Sequence, residues 1–388
     1  MKRFLPACAA LLCASSTLAN SPYISRVFEY CPAPGQFVNE LPEYTEGDTY
    51  QDILSKVTEQ IAGDRTPGLI TLGAYGGYVV FGFDHPVLNK QGDYDFKIYG
   101  NAIISDRDSR GGSSEPGIVL VSRDANGNGL PDDPWYELAG CEYSNPSTIH
   151  GFEITYSAPD PSHSVTPDPD DPSVIDTRYI PWTGNNASRP SGYISRNTFH
   201  TQSYWPQWLT GQESLTFSGT LLPDNGENIN GDGSYFVLRF YDWGYADNLP
   251  NNEDKGFDID WAVDADGTPV ALESIDFVKV YTGVAQTCGR LGESSTEIAG
   301  AEDLHPDMTG AVAATRTDGL LLITGRTATS LSLRTDRQDL HYDIYSAAGH
   351  KVLAGTLQSG ENTLDIAHLP AGLYLLKTPT ATLRFLKD

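Results

Sequence analysis

The stretch Asp124-Ala-Asn-Gly-Asn-Gly-Leu-Pro-Asp-Asp133 carries the residues whose types and spacing point most directly to chemistry. Asp124, Asn126, Asn128, Asp132 and Asp133 put side-chain oxygens at its first, third, fifth, ninth and tenth positions, and Gly129 stands sixth. A hard cation needs several oxygens converging from a sharply turned backbone, so the pattern reads as the early part of a calcium loop. The twelfth position, where an EF-hand places a bidentate Glu, is Trp135, so the ligand set has to be completed from elsewhere. A metal-free reading stays open, because Asn126-Gly127 and Asn128-Gly129 are also pairs that make tight turns between strands.

Two further sets could bind something. In Phe257-Asp-Ile-Asp-Trp-Ala-Val263, strand alternation sends Phe257, Ile259, Trp261 and Val263 to one face and leaves Asp258 and Asp260, followed by Asp264, on the other. Like charges at two-residue spacing repel unless a cation or a basic group sits over them. Asp242, Asp247, Asp258 and Asp260 therefore form a second candidate calcium site, although a solvated acidic face explains the same pattern. The other set is aromatic: Tyr179, Trp182, Tyr193, Phe199, His200, Tyr204, Trp205 and Trp208 crowd a region broken by Pro and Gly. Exposed, they offer flat apolar faces to sugars or corrin rings, and Trp182, His200, Tyr204, Trp205 and Trp208 are the ligand-contact candidates. Buried, the same residues would fill a sandwich core or cover an open edge.

Catalytic motifs give no support for an enzyme. The sequence has no Gly-x-Ser-x-Gly elbow, no His-Glu-x-x-His and no phosphate-cradling Gly-x-x-x-x-Gly-Lys-Ser/Thr. With 51 acidic residues, some carboxylate pair must fall at a workable separation for glycoside hydrolysis, so pairing alone says nothing. His150, His200 and His305 stand apart from one another and read as hydrogen-bonded structural residues.

A chain of 388 residues suggests two or three domains. Gly 38, Pro 25 and Tyr 21 against Met 2, with short apolar runs cut by Gly, Pro, Asn and Asp, indicate β-sandwiches rather than helix bundles. The net charge of −26 repels phosphate backbones and anionic membranes, so nucleic acid is not an expected partner. Residues 1–19 have a basic start, a short apolar run and the small-residue end Thr17-Leu-Ala19, the pattern of a secretory signal peptide. The run is too short for a transmembrane span. Cys31, Cys141 and Cys288 remain after its removal, which allows at most one bridge from three pairings and contains no Cys-x-x-Cys metal spacing.

Local patterning supplies the elements that would carry these groups. Residues 20–65 form an N-terminal extension with a helix expected over 49–62, where Ile53, Leu54, Val57 and Ile61 recur at helical spacing before Gly63. Strands are expected at Leu69-Ile-Thr-Leu72, Tyr78-Val-Val-Phe-Gly-Phe83, Tyr94-Asp-Phe-Lys-Ile-Tyr99 and Gly117-Ile-Val-Leu-Val-Ser122, inside a sandwich spanning 66–300. The Pro/Asp/Ser-rich tract 157–173 reads as a solvated, mobile excursion from it. A linker is expected over 301–314. Seven short apolar runs between Leu320 and Lys387 then predict a small Ig-like β-sandwich over 315–388.

Several of these stretches resemble known families. Leu72-Gly-Ala-Tyr-Gly-Gly-Tyr-Val-Val-Phe-Gly-Phe-Asp84, Gly92-Asp-Tyr-Asp-Phe-Lys-Ile-Tyr-Gly-Asn-Ala102 and Phe257-Asp-Ile-Asp-Trp-Ala-Val-Asp-Ala-Asp-Gly267 are similar to bacterial cell-surface proteins with a jelly-roll sandwich. Some of those lie in Bacteroidetes nutrient-uptake loci, including loci for corrinoids. The 124–133 loop itself looks more like dockerin or thrombospondin-repeat loops than like an EF-hand. Tyr342-Asp-Ile-Tyr-Ser-Ala-Ala-Gly-His-Lys-Val352 and Leu369-Pro-Ala-Gly-Leu-Tyr-Leu-Leu-Lys377 closely resemble the C-terminal sorting domain of the type IX secretion system. That resemblance implies export to the surface or the medium and the secretion machinery as a partner. The expectation is an all-β, jelly-roll-like β-sandwich followed by a small C-terminal sandwich, stabilised by Ca2+, that captures a glycan or a small-molecule nutrient such as a corrinoid without catalysis. A structural or adhesive surface protein and a polysaccharide hydrolase are the alternatives.

Overall fold

The computed structural model describes residues 20–306, 321–327, 329–335, 337–346, 350–370, 372–378 and 382–387. The expected signal peptide and residues 307–314 of the expected linker lie outside the described residues. The chain divides into two compact units, Met1–Val121 with Tyr136–Asp307, and Ser122–Trp135 with Met308–Asp388.

In the first unit a six-stranded sheet runs in the order Arg26–Cys31, Tyr78–Gly82, Phe277–Thr282, Gly117–Ser122, Trp135–Leu138, Ala262–Val263. Val79, Val80 and Phe81 are all buried, because this unbroken apolar run has core on both faces. A second sheet is ordered Arg189–Asn197, Val174–Asn186, Ile149–Ser157, Ser214–Leu221. It alternates: Phe152, Ile154 and Tyr156 point inward, as do Leu215 and Phe217 on the neighbouring strand, while Glu153, Ser214 and Thr216 face solvent. Their inward side chains share one apolar cluster with Ile118 and Tyr281 of the first sheet, which makes the unit a sandwich. A third sheet joins Gly226–Asn228, Phe236–Arg239, Asp108–Ser113 and Ile103–Ser105.

The expected helix spans Tyr50–Ile61. Thr49 caps it by accepting the Asp52 N–H, and the Asp52 carboxylate accepts the Thr49 N–H in return at 2.8 Å, a capping box that satisfies two otherwise orphaned donors. Ile53, Val57 and Ile61 are fully buried.

Three expectations change. Residues 20–65 are part of the sandwich and not an extension, since Arg26–Cys31 is an antiparallel strand beside Tyr78–Gly82. The sandwich continues past residue 300, because Gly300–Asp303 pairs with Phe96–Tyr99. The stretch 257–263 is not a single strand: Ile259–Trp261 is a 3-10 turn that opens after Asp258 accepts the Asp260 N–H. The acidic side chains of an Asp-x-Asp pair compete for backbone N–H groups, and here that competition overrides the alternation.

In the second unit, sheets of three strands (Leu321–Arg326, Ser330–Thr335, Gly360–Asp365) and four strands (Lys351–Leu357, Leu340–Ser346, Gly372–Lys377, Thr382–Lys387) enclose Leu331, Leu333, Tyr342, Ile344, Leu376 and Phe385. All seven expected strands of the small sandwich are present.

Candidate functional site

The 124–133 loop leaves the strand Gly117–Ser122 and returns in Trp135–Leu138. Gly127 and Gly129 adopt φ of 71° and 72°, the left-handed conformation that a tight reversal requires and that Gly accepts without penalty. The Asp124 carboxylate accepts the N–H groups of Asn128 and Gly129 at 2.9 and 2.8 Å, and Asp133 accepts that of Ala125 at 3.0 Å. The Asn126 and Asn128 amides both donate to Asp132, at 2.9 and 3.1 Å, and hold its carboxyl below the usual carboxylate range. Two amides and one carboxylate of the loop thus bond to one another, and the other two carboxylates hold its backbone. That is the donor chemistry a hard cation takes: three carboxylates and two amides on a glycine-turned backbone, with no nitrogen or sulfur ligand.

The second acidic set does not assemble as the alternation suggested. Asp260 accepts the Asn89 amide at 2.7 Å, Asp258 caps the 3-10 turn and Asp242 is exposed. Asp247 turns inward instead. It stands with Glu115 and Glu297, and one carboxylate oxygen from each lies within 4.8 Å of the other two. This is the sole such group of His, Cys, Asp and Glu among the described residues. Burial pushes Glu115 up to about 7 and drives Asp247 and Glu297 well above the carboxylate range, with repulsion from the neighbouring acids adding for the latter two. Nothing in sequence spacing links Glu115 to Glu297, and the signal that was legible was Asp247 alone.

The aromatic candidates divide. Tyr204, Trp205 and Trp208 are 0%, 8% and 6% exposed and belong to the core, where Trp208 stacks on Tyr30 at 6.1 Å, so they are not a ligand surface. Large rings remove the most apolar area from water, which is why the core claims them. His200 is held edge-on to Phe37 at 4.5 Å and pairs with Glu40 at 2.9 Å. Trp182 is half-buried and lines, with Tyr156, Tyr193 and Glu293, a cavity of about 50 Å³, enough for water and too small for a sugar. His150 is hydrogen-bonded as expected, to Thr220 at 3.2 Å and to the Tyr143 carbonyl at 3.0 Å.

The aromatic surface that the structure does offer was missed in the sequence. Tyr94 and Trp261, both half-buried, meet edge-to-face with centroids 5.9 Å apart at 79°. They line an open groove of about 650 Å³ together with Asp93, Asp254, Asp258 and His305. Trp243 packs against Trp261 at 4.5 Å, and His305 donates to the Tyr94 backbone carbonyl at 3.0 Å. Burial, with the charge of Asp260 nearby, raises the Asp258 carboxyl. Apolar ring faces flanked by carboxylates that accept hydrogen bonds suit a polyhydroxylated ligand.

Residues 327–387 match the family described as "Secretion system C-terminal sorting domain". No curated protein matches. Two solved structures are aligned over much of the chain. Beta-glucuronidase from Faecalibacterium prausnitzii is 8% identical at a TM-score of 0.17, over 77% of this chain and 47% of its own, so this chain spans about half its length. Native alpha-2-macroglobulin from Escherichia coli spanning domains MG0-NIE-MG1 is 11% identical at a TM-score of 0.17, over 83% of this chain and 96% of its own. At that likeness neither informs fold or function. The sorting domain indicates export, to the cell surface or the medium, by the type IX secretion machinery.

Proposed function

We propose that this exported all-β protein is a non-catalytic binding protein whose sandwich is stabilised by calcium in the 124–133 loop and captures a glycan in the groove beside Tyr94 and Trp261. The groove carries the reading. It is an open groove of about 650 Å³, inside the range of small-ligand sites, lined by two aromatic rings and by acidic hydrogen-bond acceptors. Sugar rings stack their apolar faces on such side chains while carboxylates accept hydrogen bonds from their hydroxyls.

The test is isothermal titration calorimetry of the mature chain against a glycan panel that also contains corrinoids, repeated with Trp261→Ala. Binding of one glycan class that weakens by about tenfold in the variant is expected, since losing one stacking face costs on the order of 1.4 kcal/mol. No binding by any panel member, or binding indifferent to Trp261→Ala, would move the assignment to a structural or adhesive surface protein.

A further inference from the structure

Glu115, Asp247 and Glu297 come from three separate parts of the first unit. Glu115 sits just before the strand Gly117–Ser122, Asp247 in the turn beyond Phe236–Arg239, and Glu297 in the short strand Glu297–Ile298 beside Ile70–Thr71. Asp247 and Glu297 are 3% and 1% exposed. Bringing three carboxylates together out of water is costly unless a cation compensates them or they take up protons. Among the described residues no Lys, Arg or His pairs with any of the three.

The surroundings hold the three carboxylates in place. Asp247 Oδ1 accepts the N–H groups of Asn101 and Ala102 at 2.7 and 2.9 Å, and its Oδ2 accepts the Glu297 N–H at 2.9 Å. Ser295 donates its N–H to Glu115 at 3.1 Å. Asp247 itself adopts φ 50°, a left-handed conformation uncommon outside Gly, and a Cβ at Gly100 would collide with its carboxylate. The second observation comes from Glu297. Its Oε1 accepts the Thr71 hydroxyl at 3.1 Å and its Oε2 is buried without a hydrogen-bond partner of its own, while the Ser295 hydroxyl and the Glu115 carboxyl are hydrogen-bonded to the same carboxyl group. A buried acceptor so placed takes a proton shared with Glu115, a water or an ion, and the ion also offsets the charge of all three acids.

We propose that Glu115, Asp247 and Glu297 form a buried site for a hard divalent cation of the calcium class, separate from the 124–133 loop. Oxygens within 4.8 Å of one another are close to the span that one ion bridges with calcium–oxygen bonds of about 2.3–2.6 Å. The ligand set is all carboxylate, which disfavours zinc and copper. The bound ion takes up the lone pairs of Glu297 Oε2 and ties together three chain segments far apart in sequence, so it acts as a cross-link in the sandwich core.

The mature chain is stripped with EDTA and titrated with calcium by isothermal titration calorimetry. Two ions are expected for the native protein. Asp247→Asn with Glu297→Gln should lose one and keep the other, whereas Asp124→Ala with Asp132→Ala should lose the complementary one. A trio variant that binds as many ions as the native protein overturns the proposal and leaves the three acids as a proton-sharing cluster. A loop variant that changes nothing, while the trio variant loses an ion, overturns the loop reading alone. Should the trio variant not fold, terbium-loaded crystals of the native protein decide: an anomalous peak between Glu115, Asp247 and Glu297 is expected, and its absence overturns the proposal.

Discussion

Single residues carry most of the chemistry, and Glu137 shows how its pH dependence should run. Burial pushes the Glu137 carboxyl up to about 7, against one hydrogen bond from Thr220 at 2.6 Å that favours the charged form. The side chains that face it are Tyr75, Tyr143, Tyr245 and Tyr281, uncharged at neutral pH, and His150 reaches it only through Thr220. A raised folded-state value means that the folded protein holds this proton more tightly than the unfolded chain. Its contribution is complete below about 4.5 and is lost as pH climbs to about 7. Glu137→Gln should therefore match the native melting temperature near pH 4.5 and exceed it at pH 8, by roughly 1–3 kcal/mol in urea denaturation. A variant less stable at pH 8 than the native protein would contradict this. The same scale explains what sequence reading found and missed. The 124–133 loop stood out in the sequence because its oxygen-bearing residues are contiguous, whereas Tyr94 and Trp261 meet only through the fold. Tyr204, Trp205 and Trp208 misled because a cluster of rings in sequence has no mark distinguishing a surface from a core.

At the scale of elements, legibility followed periodicity. The helix Tyr50–Ile61 and the strands Tyr78–Gly82 and Gly117–Ser122 lie where apolar spacing puts them, because burial of a regular face is what forms them. The strand reading of 257–263 failed where Asp side chains captured backbone donors, a local effect that hydrophobic periodicity does not register. The Pro/Asp tract is tied to the neighbouring strand at Thr166: Asp176 accepts from Thr166 N at 3.2 Å, and Thr177 N donates to the Thr166 carbonyl at 2.8 Å. The capping box gives a test at this scale. Thr49→Ala removes the acceptor for Asp52 N and should destabilise the first unit by about 1 kcal/mol in urea denaturation, while Thr49→Ser restores it. Equal stability of Thr49→Ala and the native protein would show that the helix is held by its buried face alone.

For the whole molecule, the sorting domain and the charge act together. Residues 327–387 address the protein to the secretion machinery, so their deletion should leave it in the periplasm instead of at the surface or in the medium, as read by fractionation and immunoblotting. The same fractionation of the intact chain supplies the control. A net charge of −26 over the whole chain costs self-repulsion that divalent cations relieve, and the 124–133 loop and the Glu115, Asp247 and Glu297 cluster are the two places proposed to hold them. The most direct measurement is the melting temperature of the mature chain in EDTA and after calcium is restored, because an ion that binds only the folded state raises it by mass action. A fall in chelator, reversed by calcium and not by sodium at matched ionic strength, is expected. A melting temperature that does not respond to chelator would contradict a calcium-stabilised sandwich.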